Sequence, residues 1–96
     1  MVDLENIDEY EDQIKLVKLI NNDYIIGFVE SKGNIVNIQY PYEYIQGRDT
    51  FKDFLIRPYD KHKIGSTLDE INITKNNIIF ITTPNGYILD TYLCKF

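Results

Sequence analysis

The chain has 96 residues, of which 44% are hydrophobic and 26% charged, and its formal net charge at pH 7 is -5. This length suits one domain with a single core and a large surface fraction, so association with other chains would add to its stability. A net negative charge excludes a strongly basic nucleic-acid-binding protein, because contacts from Lys and Arg drive binding to phosphates. One cysteine and one histidine exclude a disulfide framework and an ordinary zinc site.

The acidic residues are unevenly distributed along the chain. Six of the 15 precede Lys15, the first basic residue, so the remainder carries 10 basic against 9 acidic residues (15 minus 6). The body is therefore nearly neutral, and any phosphate-binding surface has to be local. One stretch enriched in basic residues predicts either such a patch or an ordinary solvated loop; it contains Arg48, Lys52, Arg57, Lys61 and Lys63.

The start of the sequence, MVDLENIDEYEDQ, is acidic and interrupted by charges. A secretory signal begins instead with basic residues that precede an apolar run. No apolar run approaches the roughly 20 residues of a membrane helix. We therefore expect a cytoplasmic protein without membrane contact.

The first predicted elements are a helical or frayed N-terminal segment and a group of hairpins. Leu4, Ile7 and Tyr10 recur at helical spacing, so residues 1–12 form either a short helix or an acidic tail. The following β-branched and aromatic runs are interrupted by the turn sequences NND and SKG, which predicts strands joined by tight hairpins. These three strands cover residues 13–20, 24–30 and 34–44.

The second half of the chain predicts further strands and a terminal helix. A strand is expected at residues 51–59. Residues 70–84 fit two short strands or one bent strand that pivots at residues 75–77. The apolar period then becomes helical, which predicts a C-terminal helix at 85–96 with Asn85 as its N-cap. Together these elements indicate a mainly β domain.

The predicted strands are apolar on both faces, most clearly in the run IIFI. Because an antiparallel sheet often exposes one face to water, such strands indicate a closed barrel covered by helices or a second chain packed against the sheet. Self-association through this run would bury it, and a ring would end the growth. Alternatively, the terminal helix covers it within one chain. The expected oligomer interface consists of Ile78, Ile79, Phe80 and Ile81.

Residues suited to catalysis are scarce. Cys94 falls within the terminal helical stripe, where we expect a buried or half-buried side chain, and His62 falls in a lysine-flanked loop. The five glycines are dispersed rather than clustered as in a phosphate-binding loop. Three alternating tyrosines could stack bases, but a packed cross-strand ladder is favoured; they are Tyr40, Tyr42 and Tyr44. We therefore expect no enzyme, no cofactor and no metal site.

Gly27, Ile35 and Asn37 lie on two successive predicted strands, with Gly33 in the turn between them. This motif resembles the Sm-like (LSm) family, whose small, strongly bent five-stranded barrels form rings that bind RNA. The first family motif places a glycine in the second strand, an acidic residue in the following turn, a stacking side chain two positions later and an asparagine after that. Gly27 and Asn37 fit the glycine and the asparagine, and Ile35 falls at the stacking position. Gly33 stands where the family has the acid.

The run INITKNNIIFI is similar to the second motif of the family. In the family, this motif ends in a strand that pairs with the neighbouring subunit. Thr74 and Lys75 stand where the family has Arg-Gly. An alternative alignment places FLIRPY on the penultimate strand and offers Arg57 instead. The run KLINNDYIIGFV, residues 18–29, is similar to the opening of divergent Sm-like proteins carried by tailed phages of marine bacteria.

The resemblance implies an Sm-like barrel of five to six strands over residues 13–96, with the N-terminal segment and the C-terminal helix attached. It also implies a homo-oligomeric, non-enzymatic ring that binds single-stranded RNA through Ile35, Asn37 and Lys75, with Arg57 as a substitute. For a phage protein, the cytoplasm would be that of the host cell. A protein-interaction or assembly module of the same fold, without nucleic-acid binding, remains the alternative. Without the acid at Gly33, a structural role for Asn37 is slightly favoured over base contact.

Overall fold

The computed structural model describes residues 4–47, 54–59 and 70–96 of the chain. It contains six strands, a short α-helix and an N-terminal 3-10 helix. The strands are β1 (Ile14–Leu19), β2 (Tyr24–Lys32), β3 (Ile35–Gln46), β4 (Phe54–Pro58), β5 (Glu70–Thr74) and β6 (Ile78–Thr82), and the helix is α1 (Gly86–Leu93). They form one antiparallel sheet in the order β4-β3-β2-β1-β6, with β5 paired to β3 as well. The predicted mainly β fold is confirmed.

The first three strands are joined by the two predicted hairpins. β1 pairs with β2, and β2 with β3, both antiparallel. Asn22 and Gly33 adopt the left-handed backbone region in the two turns, with φ of 73° and 59°. Asparagine and glycine tolerate this conformation better than other residues, which is why NND and SKG mark the turns.

A β-bulge divides β3 into two halves. Ile26 lies opposite Tyr42, whereas Phe28 lies opposite Gln39, so two residues of β3 oppose Gly27. One of the two, Tyr40, has a φ of 52°. Such an extra residue bends a strand and increases its twist. The first half of β3 pairs with β5 and the second half pairs with β4.

A 3-10 turn at Lys75–Asn77 joins β5 to β6, so of the two predicted alternatives, two short strands or one bent strand, the structure has two short strands. The turn carries the chain to the other edge of the sheet, where β6 pairs with β1. The Ile20 amide donates to the Asn77 carbonyl at 2.9 Å and fixes the turn beside the β1–β2 hairpin. Within the described residues β5 and β6 share no ladder, so the sheet remains open where a barrel would close.

Two hydrophobic clusters lie on opposite faces of the sheet, because alternate residues of β1 and β2 contribute to different clusters. The first cluster contains Ile26 and Phe28 and is covered by both helices. The second contains Ile25, Val36 and Ile38 and receives Tyr59 from the end of β4. This arrangement explains why the strands of the hairpins are apolar on both faces.

The two helices cover the first cluster in different ways. The N-terminal 3-10 helix spans Leu4–Gln13 with a kink at Asn6, and it packs Ile7 and Tyr10 on the sheet. A spacing of three residues suits a 3-10 helix, which has three residues per turn. At the other end of the chain the side chain of Asn85 accepts a hydrogen bond from the Ile88 amide at 3.0 Å, as its predicted N-cap role requires.

The C-terminal end of the chain differs from the prediction in two respects, and some predictions concern residues that the structure does not describe. The α-helix ends at Leu93, three residues before the predicted end, and the last residues form a turn. The expectation of a buried or half-buried Cys94 is wrong, because the cysteine lies beyond the helix and is exposed. The predictions for one further group concern residues outside those that the structure describes: Arg48, Lys52, Lys61, His62 and Lys63.

None of the helices in the described ranges has the length and apolar character needed to cross a membrane.

Candidate functional site

The first half of β3 presents three side chains on the face opposite the second hydrophobic cluster. They are Ile35, Asn37 and Gln39, whereas Val36 and Ile38 between them belong to that cluster. Residues at alternate positions of a strand share a face. β2 and β5 flank this half of β3, so the face extends over three strands.

The ladder places the side chains of this face in three rows across β2, β3 and β5. From the β2–β3 turn inward, the rows are Lys32–Ile35–Thr74, Glu30–Asn37–Asn72 and Phe28–Gln39–Glu70. We refer to this surface as the amide face. Its basic residue lies nearest the turn, and its acidic residues lie further along the strands.

Asn37 forms the centre of a hydrogen-bonded chain of three side-chain amides. Its Nδ2 donates to Oδ1 of Asn72 at 3.0 Å, and its Oδ1 accepts from Nε2 of Gln39 at 3.4 Å. Asn37 is only 6% exposed, so these bonds satisfy an amide that would otherwise cost about 1–3 kcal/mol to bury. The partners of Asn37 are thus side-chain amides from its own strand and from β5.

The exposed groups of the amide face surround this amide chain. Ile35 is 42% exposed at the turn end. The Lys75 amide donates to the Asn34 carbonyl at 2.9 Å, which fixes the 3-10 turn beside the β2–β3 turn. Lys32 forms a loose, exposed ion pair with Glu30 at 3.9 Å. An aliphatic surface, two lysines and a row of amides therefore meet at one end of the sheet.

The structure brings together three of the four predicted nucleic-acid-binding residues. Ile35, Asn37 and Lys75 belong to the amide face or border it. Arg57 lies elsewhere, opposite Glu43 on the second half of β3, where its Nε donates to the Glu43 carboxylate at 3.3 Å. That pair lies beyond the bulge, so Arg57 does not join the amide face.

The predicted oligomer interface lies on an open edge of the sheet. Within the described residues β6 pairs with β1 alone, and Ile79, Phe80 and Ile81 are 54%, 41% and 42% exposed. Phe80 makes an edge contact with Tyr24, with ring centroids 6.2 Å apart. Lys18 lies over the same tyrosine ring, 5.2 Å from its centroid. The edge strand thus combines unpaired backbone groups with apolar side chains, a combination that favours pairing with another chain.

The three alternating tyrosines of β3 pack against other parts of the chain, as favoured from the sequence. Tyr44 is buried beside Tyr24, with ring centroids 5.9 Å apart. Tyr42 contacts Tyr92 of α1 at 5.6 Å between centroids. The Tyr92 hydroxyl donates to the Tyr40 carbonyl at 2.8 Å, and burial raises its pKa above the ordinary range of tyrosine. These rings hold α1 on the sheet.

A further tyrosine, Tyr59, connects the end of β4 to the β1–β2 turn. The Tyr59 hydroxyl donates to the Asp23 carboxylate at 3.0 Å, and its amide donates to the Pro41 carbonyl at 3.1 Å. Burial, together with the bond to Asp23, raises the pKa of the Tyr59 phenol. Side chains thus join two parts of the sheet that no strand pairing connects.

Two residues of the amide chain were not predicted from the sequence. Asn72 lies between Ile71 and Ile73 of β5, both buried, so the alternation alone places it on the outer face. Its contact with Asn37 follows only from the pairing of β5 with β3, which no local pattern reveals. Gln39 lies two residues after Asn37, so the same alternation would have placed it on the face of Asn37.

Neither the models of known protein families nor the curated proteins yield a match to this sequence. In the described part of the chain, no three His, Cys, Asp or Glu side chains come close enough together to hold a metal ion.

Proposed function

We propose that this protein is a non-enzymatic, ring-forming Sm-like protein that binds single-stranded RNA at the amide face. The observation that carries the proposal is the meeting of Ile35, Asn37 and Lys75 beside the β2–β3 turn. Lys75 lies far along the chain from Ile35 and Asn37, so no local pattern brings it beside them. The succession of hairpins, a 3-10 turn and a final strand that pairs with β1 supports the same interpretation.

The amide face offers the contacts that an unpaired nucleotide needs. The exposed Ile35 supplies an apolar surface for a base, and the exposed Asn72 supplies an amide that can hydrogen-bond to a base edge. Asn37 is nearly buried, so its proposed role is to hold the Asn72 amide in position. Lys32 and Lys75 lie at the turn end, where phosphates would avoid Glu30 and Glu70.

The open edges of the sheet support the assembly of a ring. β6 and β4 lie at the two ends of the strand order, and each is unpaired on its outer side within the described residues. Leu55 on β4 is 52% exposed, similar to Ile79 on β6. Pairing of β6 from one copy with β4 of the next would bury both, and in a closed ring neither of these two edges would stay unpaired.

Fluorescence anisotropy with labelled U-rich and A-rich oligonucleotides tests the binding site. We expect Lys75→Ala to weaken binding several-fold and to reduce its salt dependence, because one phosphate contact is lost. Ile35→Ser should weaken binding without changing the salt dependence. Lys95→Ala is the matched control, since Lys95 is exposed beyond α1 and should leave the affinity unchanged. Equal affinities in all four proteins would overturn the proposed site.

The alternative is an assembly module of the same fold that docks a basic protein. It is favoured by the N-terminal 3-10 helix, where Ile7 and Tyr10 pack on the sheet and five acidic residues are exposed. These acids are Glu5, Asp8, Glu9, Glu11 and Asp12. Deleting the segment would also remove the packed Ile7 and Tyr10, so replacing the acids with Asn and Gln is the sharper experiment.

The two functions predict different results for this neutralised protein. Tighter RNA binding would support the RNA-binding function, with the acids acting as an inhibitory charge. Loss of a bound protein partner, in a chain that binds no RNA before or after the change, would support the assembly module.

A further inference from the structure

A groove of about 420 Å³ adjoins the amide face on the outer side of β5. One wall is the β1–β2 turn, and the other consists of the second half of β5 with the 3-10 turn. Leu19 and Ile73 line it and are 5% and 7% exposed, so they form an apolar floor. Ile20 lines its rim and is 60% exposed. We propose that this groove binds a nucleobase and forms a second subsite for the single-stranded RNA.

The polar lining of the groove can pair with both donors and acceptors. Asn77 donates through Nδ2 to Thr74 Oγ1 at 3.1 Å, and among the described residues its Oδ1 accepts no hydrogen bond. The Oδ1 of Asn72 accepts from Asn37, whereas its Nδ2 donates to no other described residue. The groove therefore presents an amide acceptor and an amide donor, and the edge of every base carries the complementary groups.

The charge of the lining identifies the chemical class of the ligand. The lining residues are asparagines, a threonine, leucine and isoleucines, none of which is ionised. Such a groove offers no opposite charge to a phosphate or to a charged side chain, and a desolvated charge needs one. A flat, neutral ring that packs on aliphatic side chains and hydrogen-bonds along its edge suits both the floor and the walls.

The remaining wall residue is fixed by its own contacts. Asn21 donates from Nδ2 to the Asp23 carboxylate at 3.2 Å and accepts from the Asp23 amide at 2.9 Å. Its side chain therefore shapes the turn, while the ligand contacts come from β5 and the 3-10 turn. A preformed wall lowers the cost of ordering the groove on binding.

Asn72 connects the groove to the amide face. It lies opposite Asn37 in the ladder, and it also lines the groove. Consecutive nucleotides could thus place one base on Ile35 and the next in the groove, with the phosphate between them near Lys75. This inference rests on the proposed RNA-binding function and assigns it a second base site.

The test measures NMR shifts of the side-chain amides of the full-length ¹⁵N-labelled protein during titration with adenosine, uridine, cytidine and guanosine. Ribose and inorganic phosphate serve as probes without a base. We expect saturable shifts of the Asn72 and Asn77 side-chain amides with at least one nucleoside, and none with ribose or phosphate. In the double variant Thr74→Val/Asn77→Ala the nucleoside affinity should fall about fivefold to tenfold, since about one hydrogen bond to the base is lost.

These substitutions should leave the fold intact, so a change in affinity can be assigned to the groove. Thr74→Val preserves the β-branched shape, and Asn77→Ala retains the main-chain carbonyl that accepts from Ile20. Gln46→Ala, an exposed amide at the other end of β3, is the matched control and should bind nucleosides like the unaltered protein. Equal nucleoside affinity in the double variant, or shifts that ribose alone reproduces, would overturn the groove as a base site. So would shifts induced only by an extended peptide.

Failure of this inference is distinguishable from failure of the proposed function. Oligonucleotide binding that depends on Lys75, without nucleoside shifts in the groove, would overturn the second base site alone. Nucleoside shifts in a protein that binds no oligonucleotide would support the groove and overturn the RNA-binding function.

Discussion

The two halves of β3 belong to one strand but have different surroundings. Before the bulge, Ile35, Asn37 and Gln39 form part of the amide face, at a margin of the sheet. After it, Tyr42 and Tyr44 lie within the first hydrophobic cluster beneath the helices. The covering helix thus packs on the second half and leaves Ile35, at the turn end of the first half, exposed. A strand that is uniformly β in sequence can therefore be divided into a packed half and a half that is open at its end.

The packed half depends most on Tyr92 of α1. This ring is 0% exposed, and its centroid lies 5.9 Å from Phe28, 5.6 Å from Tyr42 and 5.1 Å from Phe96. Packing of large aromatic side chains contributes both buried area and specific edge contacts. Tyr92 should therefore be the most costly residue of the helix to truncate.

Replacing Tyr92 with Ala gives the largest expected effect and breaks the packed half. We expect a loss of about 3–5 kcal/mol in the free energy of unfolding, measured by urea denaturation, because a cavity remains under α1. Tyr92→Phe retains the ring and should cost only about 1 kcal/mol through the lost bond to Tyr40. A loss below about 1 kcal/mol for Tyr92→Ala would show that α1 is not an essential cover.

Gly27→Ala tests the bulge that separates the halves. A Cβ at this position would lie 2.6 Å from Cγ2 of Ile38 and 2.8 Å from the Gln39 carbonyl oxygen. Because backbone has to move, we expect about 1–3 kcal/mol of destabilisation in the same denaturation measurement. Gly86→Ala is the control: a Cβ there meets nothing within 4 Å, so its effect should be near zero or stabilising. Equal losses in both variants would contradict this account of the bulge.

Asn37→Leu tests how much the amide chain in the first half of β3 contributes to the free energy of unfolding. The substitution leaves the amides of Asn72 and Gln39 without their shared partner and should cost about 1–3 kcal/mol. In the double variant Asn37→Leu/Asn72→Leu the loss should be smaller than the sum of the two single losses, because the amides act as a pair. Additive losses would show that the hydrogen bond between them contributes nothing of its own.

The sequence predicted the local features of the fold better than the contacts between distant segments. The turn residues Asn22 and Gly33 and the N-cap Asn85 act locally, so their patterns were informative. The meeting of Asn37 with Asn72, 35 residues apart, depends on the register of β5, which alternation alone does not specify. The bulge at Tyr40 was also not predicted, because the clash at Gly27 arises only after β2 and β3 have paired.

The smallest expected effect concerns pH and the tyrosine that joins β4 to the β1–β2 turn. The pKa of Tyr59 is raised above 10.0 by burial and by its bond to Asp23. The fold therefore favours the protonated phenol, and this contribution to stability is fully present below pH 10.0 and is lost as the pH rises further. Tyr59→Phe should cost about 1 kcal/mol at neutral pH and reduce the alkaline loss.

The measurement is urea denaturation at a series of pH values through the alkaline range. Tyr44 and Tyr92, whose pKa values are also raised by burial, should maintain part of the alkaline loss in the variant. Identical pH dependence with and without the Tyr59 hydroxyl would contradict its assigned role.

The most direct test of the central proposal is the mass of the purified protein in solution. It is measured by light scattering behind a sizing column, with the 260/280 nm absorbance ratio recorded. We predict one discrete species of about five to seven chains, since pairing of β6 with another copy has to close to end growth. Ile79→Lys/Ile81→Lys should convert it to a folded monomer, because both side chains lie exposed on the free edge. A monomeric unaltered protein, free of nucleic acid, would contradict the ring.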